Sequence, residues 1–217
     1  MEELSSIYRA ETQIQIAGPL KIPGGMYAIK EGEEVVLIDP FELPQSEKKA
    51  LEALGKPALI LISGWLHVRD AEAYRKRYGA RILANRQAAP KIEIAVDDTF
   101  GDGERLPGGL TTIEMPGTLP GETIFWREEG KGALIVGDAL WNLHLSECGL
   151  LLGTFMRLVG WPEGFGTMPK LFMADEKRAA ESFQKLLDYD FDQILVSHGQ
   201  PVRSGAKGLL RVVIENL

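Results

Sequence analysis

The 217 residues are 45% hydrophobic and 25% charged, the balance of a folded chain, and a single domain spanning 1–217 is expected from them. The net charge of −7 sets the overall field against phosphate backbones and anionic lipid, so neither nucleic acid nor a membrane is an expected partner. Cys148 is the lone cysteine, which excludes an internal disulfide and a cysteine zinc knuckle; any metal must be held by His and carboxylates.

The opening "MEELSSIYRAETQIQ" is acidic and mixed, without a secretory pattern, and a cytoplasmic location is expected. "TQIQIAG", "GGMYAIKEG" and "EVVLIDP" are β-type runs separated by Gly, Pro and charge, the pattern of an antiparallel meander. "LPQSEKKALEALG" has helical spacing with Gly55 as its stop, and "PALILIS" is a short, fully buried strand. "RDAEAYRKRYGA" then reads as a helix and "RILAN" as a strand. This β-α-β-α-β alternation predicts an α/β layer.

From residue 91 the pattern returns to strands: "KIEIAVDDTF", "GLTTIEMPG", "ETIFWREEG" and "GALIVGDAL". The last third gives a helix, "DEKRAAESFQKLLDYD", a strand, "QILVSHG", and an amphipathic tail, "GAKGLLRVVIENL". Two strand-rich halves, each followed by helices, predict two sheets packed face to face with helices outside. The segment from Trp141 to Met173 is too rich in glycine for one regular helix and too apolar for a solvated loop. It is expected to be a core or dimer surface, or an insert that forms the lid or wall of an apolar pocket.

"VVLIDP", the turn after "LILIS", "PGTLPGE", "IVGDAL" and "SHGQP" resemble, in order and spacing, the successive motifs of the metallo-β-lactamase superfamily, over roughly residues 12 to 202. The resemblance implies an α/β (α+β) fold, the four-layer αββα sandwich, with a metal site at one edge of the two sheets. It also implies hydrolysis, through ions that acidify a water and polarise a carbonyl or phosphoryl group. Asp39 in "LIDP" would support the metal-binding turn from behind.

The family's metal ligands do not all carry over. The family's turn after the buried strand reads T-H-x-H-x-D-H. With Ser63 at the Thr, Gly64 and Leu66 fall on the first two His positions, Val68 on the Asp and Arg69 on the third His. A one-residue slip instead puts His67 on the second His and Asp70 on the third. The His of the Pro-Gly turn is Thr118, and only Asp138 and His198 match outright.

The candidate ligands are therefore His67, Asp70, Asp138 and His198, a four-group cluster for one divalent ion such as zinc, manganese or iron, with Asp138 and His198 as catalytic candidates. Arg69 is expected to pair with Asp138 in place of a lost ion, and Arg69, Thr118, Trp141 and His144 are expected to line a pocket. Ligand counting favours a scaffold with a degenerate metal site, without dinuclear chemistry or any cofactor, that binds an apolar small molecule or forms a homodimer. The alternative is a single-metal hydrolase of ester, thioester or similar bonds.

Overall fold

The computed structural model describes all residues except Pro19 and Pro162, with Ile16 and Ala17 described by their backbone alone. The chain opens with strands β1 (Glu2–Leu4), β2 (Ile7–Ala17), β3 (Leu20–Glu31) and β4 (Glu34–Ile38), then helix α1 (Gln45–Leu54), strand β5 (Lys56–Ile62), helix α2 (Ala71–Tyr78), and strands β6 (Arg81–Asn85) and β7 (Asp98–Phe100). These strands form one sheet in chain order, antiparallel from β1 to β4 and parallel from β4 to β7. The parallel half is covered by α1 and α2, which is why "LILI" in β5 can be apolar on both faces.

A second group follows, with β8 (Arg105–Leu106), β9 (Leu110–Glu114), β10 (Thr123–Arg127) and β11 (Ala133–Val136). Then come β12 (Leu140–Leu143), helix α3 (Gly149–Leu158), β13 (Gly164–Thr167), helix α4 (Glu176–Leu186), β14 (Gln193–Val196) and helix α5 (Ala206–Glu215). The second sheet runs β14-β11-β10-β9-β8, with β11 and β14 parallel, while β12 and β13 make a separate antiparallel hairpin.

Three apolar layers give the αββα order. Tyr27, Ile38, Leu61, Phe100, Phe125, Ile135 and Leu195 fill the space between the sheets. Leu37, Leu51, Ile60, Tyr74 and Ile82 pack the first sheet's outer face toward α1 and α2, and Ile113, Leu134, Phe183, Ile194 and Leu210 pack the second sheet's outer face toward α4 and α5. The helix ends follow ordinary capping. Gly79 closes α2 in the left-handed conformation with its N–H on the Arg75 carbonyl at 2.8 Å, and the Asp175 carboxylate accepts from Arg178 N at the start of α4.

One expectation needs correction. In "KIEIAVDDTF" only Asp98–Phe100 is strand, and the chain before it makes a one-turn helix over Ala89–Lys91. Its alternation has another cause: Ile92, Ile94 and Val96 pack on the outer core while their backbone has no ladder beside it. The segment 141–173, expected to be a core or dimer surface or the wall of an apolar pocket, folds around a core of its own. It is the β12–β13 hairpin with α3 between its strands, holding a small core of Ile22, Trp141, Leu143, Leu152 and Met156.

Candidate functional site

Four loops converge at the carboxyl ends of β4, β5, β11 and β14, the edge where open α/β sheets gather ligands. The two sheets are joined there by backbone hydrogen bonds. Thr123 N donates to Ser63 O at 2.8 Å and Gly25 N donates to Ser197 O at 2.6 Å. His67 sits in a single turn of 3-10 helix, Trp65–His67, immediately after β5; Asp138 and His198 each lie two residues past a strand end.

These three side chains face one another. Asp138 Oδ1 lies 3.3 Å from His67 Nε2 and 3.1 Å from His198 Nε2, and the three candidate donor atoms fall within 4.8 Å of one another. Each imidazole is held from behind. His67 Nδ1 is 2.7 Å from Asp39 Oδ2, and His198 Nδ1 is 3.0 Å from the Pro23 carbonyl. Asp39, left-handed at φ 51°, also accepts from Ser63 N at 2.9 Å and Ser63 Oγ at 2.5 Å.

His198 tests whether the residues suit an ion. Its Nδ1 must donate to the Pro23 carbonyl, which leaves the neutral ring's Nε2 as a lone pair facing the Asp138 carboxylate. The other tautomer moves the same conflict to Pro23. A positive charge added at Nε2, a proton or a metal ion, relieves both contacts, and burial pushes His198 below its ordinary pKa, which disfavours the proton. Two imidazoles and a carboxylate, each buried and each imidazole oriented by a second partner, are a donor set that fits one divalent ion.

The electrostatics agree with that count. Burial would lower His67, but the charges of Asp138 and Asp39 prevail and raise it to about 10. Burial would raise Asp138, yet His67 and the hydrogen bonds of both imidazoles hold it well below the usual carboxylate range.

Glu122 was not singled out from the sequence. Its Oε1 accepts from Asp138 N at 2.7 Å and Ala139 N at 3.0 Å, fixing the turn that carries Asp138. Its Oε2 is buried without a partner, against the space beside Gly64, where a Cβ would come within 2.7 Å of it. Burial, reinforced by the charge of Asp138, raises Glu122 to about 8, which favours the neutral carboxyl over the carboxylate. The available signal was a carboxylate between Gly121 and an apolar strand.

The remaining candidates lie elsewhere. Asp70 is exposed and accepts from Glu42 N at 2.7 Å, so the expected four-group cluster is a three-group one. Arg69 does not pair with Asp138 within ion-pair distance among the described residues. From a left-handed backbone at φ 44° it donates to Gly25 O at 2.8 Å and Asp39 O at 3.2 Å, satisfying one carbonyl in β3 and one just past β4. Thr118 donates to the Met115 carbonyl at 2.7 Å and lines a separate polar hollow. His144 is exposed, 3.6 Å from Glu163, outside the lining of the cavity next to the site.

That cavity, about 550 Å³, has His67, Arg69, Asp138 and His198 on its wall with Trp141, Leu152, Phe155, Met156, Trp161 and Phe172. Trp141 joins the two parts. Its ring packs 4.4 Å from that of His198 and 4.4 Å from that of Trp161, and its Nε1 donates to Asp138 O at 2.7 Å.

A family profile described as the metallo-beta-lactamase superfamily matches residues 22–154. Among solved structures, a metallo-beta-lactamase from Pontibacter korlensis superposes with a TM-score of 0.69 at 15% identity, covering 100% of this chain and 98% of that one. The DIM-1 metallo-beta-lactamase gives 0.68 at 11%, covering 99% and 95%. TTHA1623, solved in a di-iron-bound form, gives 0.62 at 20%, covering 95% and 100%. At these identities the likeness is one of fold. No curated protein sequence matches.

Proposed function

The chain belongs to the metallo-β-lactamase superfamily, and from that premise we propose that it works with one divalent cation, as a single-metal hydrolase of ester-type bonds. The observation that carries this reading is the convergence of His67 Nε2, Asp138 Oδ1 and His198 Nε2 within 4.8 Å, three protein ligands with space left on the cavity side. A cation there supplies acidification of a water and polarisation of a carbonyl.

The chain's own residues do the rest. Asp39 and the Pro23 carbonyl hold the two imidazoles with Nε2 toward the cluster, and Glu122 holds the Asp138 turn. Asp138, held ionised by the two imidazoles and lying on the cavity wall, brings a full negative charge to the cation. Trp141, Leu152 and Met156 keep bulk water from that side of the site.

A second ion has little to bind it. Gly64 and Leu66 offer no donor side chain, Thr118 bonds to Met115, and the carboxyl of Glu122 occupies the space beside Gly64. This favours mononuclear over dinuclear chemistry and keeps a second reading alive, a non-hydrolytic protein that binds an apolar small molecule in the same cavity.

Homodimer formation is also proposed, through Leu150, Leu151 and Leu158, which α3 leaves 84%, 75% and 82% exposed. A monomer by light scattering at all concentrations would rule that out. No helix among the described residues is long and apolar enough to cross a membrane.

The test of the main proposal is metal content after purification without chelator, then hydrolysis of a panel of aryl esters and thioesters by protein loaded with zinc, manganese or iron. One ion per chain, with turnover lost in Asp138→Ala and His198→Ala, is expected. Metal-independent turnover, or no bound ion at any concentration, would overturn it.

A further inference from the structure

The polar side chains of the cavity wall are the grouped His67, Arg69, Asp138 and His198, with Gln15 besides; the rest of the wall is apolar, Leu152, Phe155, Met156, Trp161, Met168 and Phe172 among it. A ligand that fits both parts has a donor head and an aliphatic body. Isosteric polar bodies would leave their own hydrogen-bonding groups unpaired against these walls, which costs more than the burial returns.

The head end also carries a sign. Arg69 is the permanent cation on the cavity wall, its Nη2 3.5 Å from His67 Nδ1, beside the ligand cluster. Its hydrogen bonds to the Gly25 and Asp39 carbonyls both come from Nη1, while Nη2 meets only the His67 ring edge at that longer distance among the described contacts. The outer wall supplies a route for a greasy ligand. Phe155 is 53% exposed and Phe172 39% exposed while both line the cavity, so apolar surface runs from the interior to the outside on α3 and the turn after β13.

We propose that this cavity takes an aliphatic amphiphile with a carboxylate-type head, its alkyl chain between Trp161, Phe155 and Met156 and its head oxygens at Arg69 and the His67, Asp138 and His198 cluster. The chain half stands on the cavity walls alone. The head half rests on the single-cation reading, which it deepens by naming the substrate class as acyl compounds, either the free acid or its ester.

Binding is read by the emission of Trp141 and Trp161, which face the cavity, and by calorimetry, with hexanoate, octanoate, decanoate, acetate, 1-decanol and ethyl decanoate as probes. Each is titrated with chelator and again with zinc, after zinc binding has been measured with no amphiphile present. Affinity is expected to rise roughly three- to fourfold per methylene from hexanoate to decanoate, with acetate silent. Zinc is expected to tighten decanoate about tenfold and leave 1-decanol unchanged. Release of decanoate from ethyl decanoate by the zinc-loaded chain marks the ester as the source, and binding of the acid without ester cleavage marks the free acid; either agrees with the proposal.

Phe155→Ser should weaken decanoate and 1-decanol alike, while Arg69→Gln should weaken decanoate alone, its unchanged binding of 1-decanol showing that it is folded. Affinity independent of chain length would overturn the proposal whatever zinc does. Equal binding of decanoate and 1-decanol with and without zinc would overturn its head half. Failure of zinc to bind alone, with chain-length dependence intact, would instead sink the single-cation reading and leave the alkyl site standing.

Discussion

His67 Nδ1 and Asp39 Oδ2 lie 2.7 Å apart, and this one contact decides which face of the imidazole meets Asp138. With the Nδ1 proton committed to Asp39, the Nε2 lone pair is the donor atom presented to an ion. Asp39→Ala is therefore expected to weaken zinc binding about 10- to 100-fold without removing a ligand, as loss of an outer partner usually does. Calorimetric titration checks this, and unchanged affinity would mean that Asp39 only braces the Ser63 turn.

Ion binding should displace a proton. His67 is raised to about 10, so the metal-free chain carries an imidazolium between Asp39 and Asp138 at neutral pH. A cation must expel that proton, and apparent affinity should climb about tenfold per pH unit from 6 toward 9. Titration in two buffers of different ionisation heat measures the number of protons released. A value of zero at pH 7 would contradict the assigned charge.

The same shift sets the metal-free protein's stability. A folded pKa raised above 6.5 gives stability that is fully present below 6.5 and lost as pH rises toward 10. Glu122, raised from 4.5 to about 8, acts in the same direction in a lower window, because the unfolded chain ionises first. Glu122→Gln, neutral throughout, should gain stability relative to the parent between pH 5 and 8, by no more than a few kcal/mol, and gain nothing further above 8. Urea midpoints across that range give the difference. A constant offset would show an ionised Glu122.

Gly199, next to His198, has φ +95° and its Cα faces the Asn142 carbonyl so closely that no Cβ fits. Gly199→Ala should cost about 1–3 kcal/mol from the backbone conformation alone. It should also loosen Asn142 N on His198 O, 3.0 Å in the parent, and with it the grip on the ion. Calorimetric melting and zinc titration of one sample test both effects together.

The fold was legible because its signals are local and redundant. Apolar runs at strand spacing and Gly55 as a helix stop mark elements, and the turns at "LIDP", "IVGDAL" and "SHGQP" mark strand ends, each independently of the others. The site was legible only in part. Asp138 and His198 follow strands whose ends are readable, whereas His67 and Asp70 depend on the path of one short turn. The 3-10 turn Trp65–His67 carries His67 inward, and the left-handed Arg69 sends Asp70 out to Glu42 N. No periodicity encodes such a turn. Glu122 was hidden for a different reason, since its role arises from two glycines, Gly64 and Gly137, that are distant in sequence and leave room for it.

The backbone hydrogen bonds Thr123 N to Ser63 O and Gly25 N to Ser197 O join the sheets at the loops that carry His67 and His198. An ion held there would act as a rivet across the seam. The amides of Thr123 and Gly25 should then exchange with solvent only when the whole sandwich opens, and chelation should speed their exchange more than that of the outer helices. Occupancy of so small a site would thereby be felt as the cohesion of the two halves.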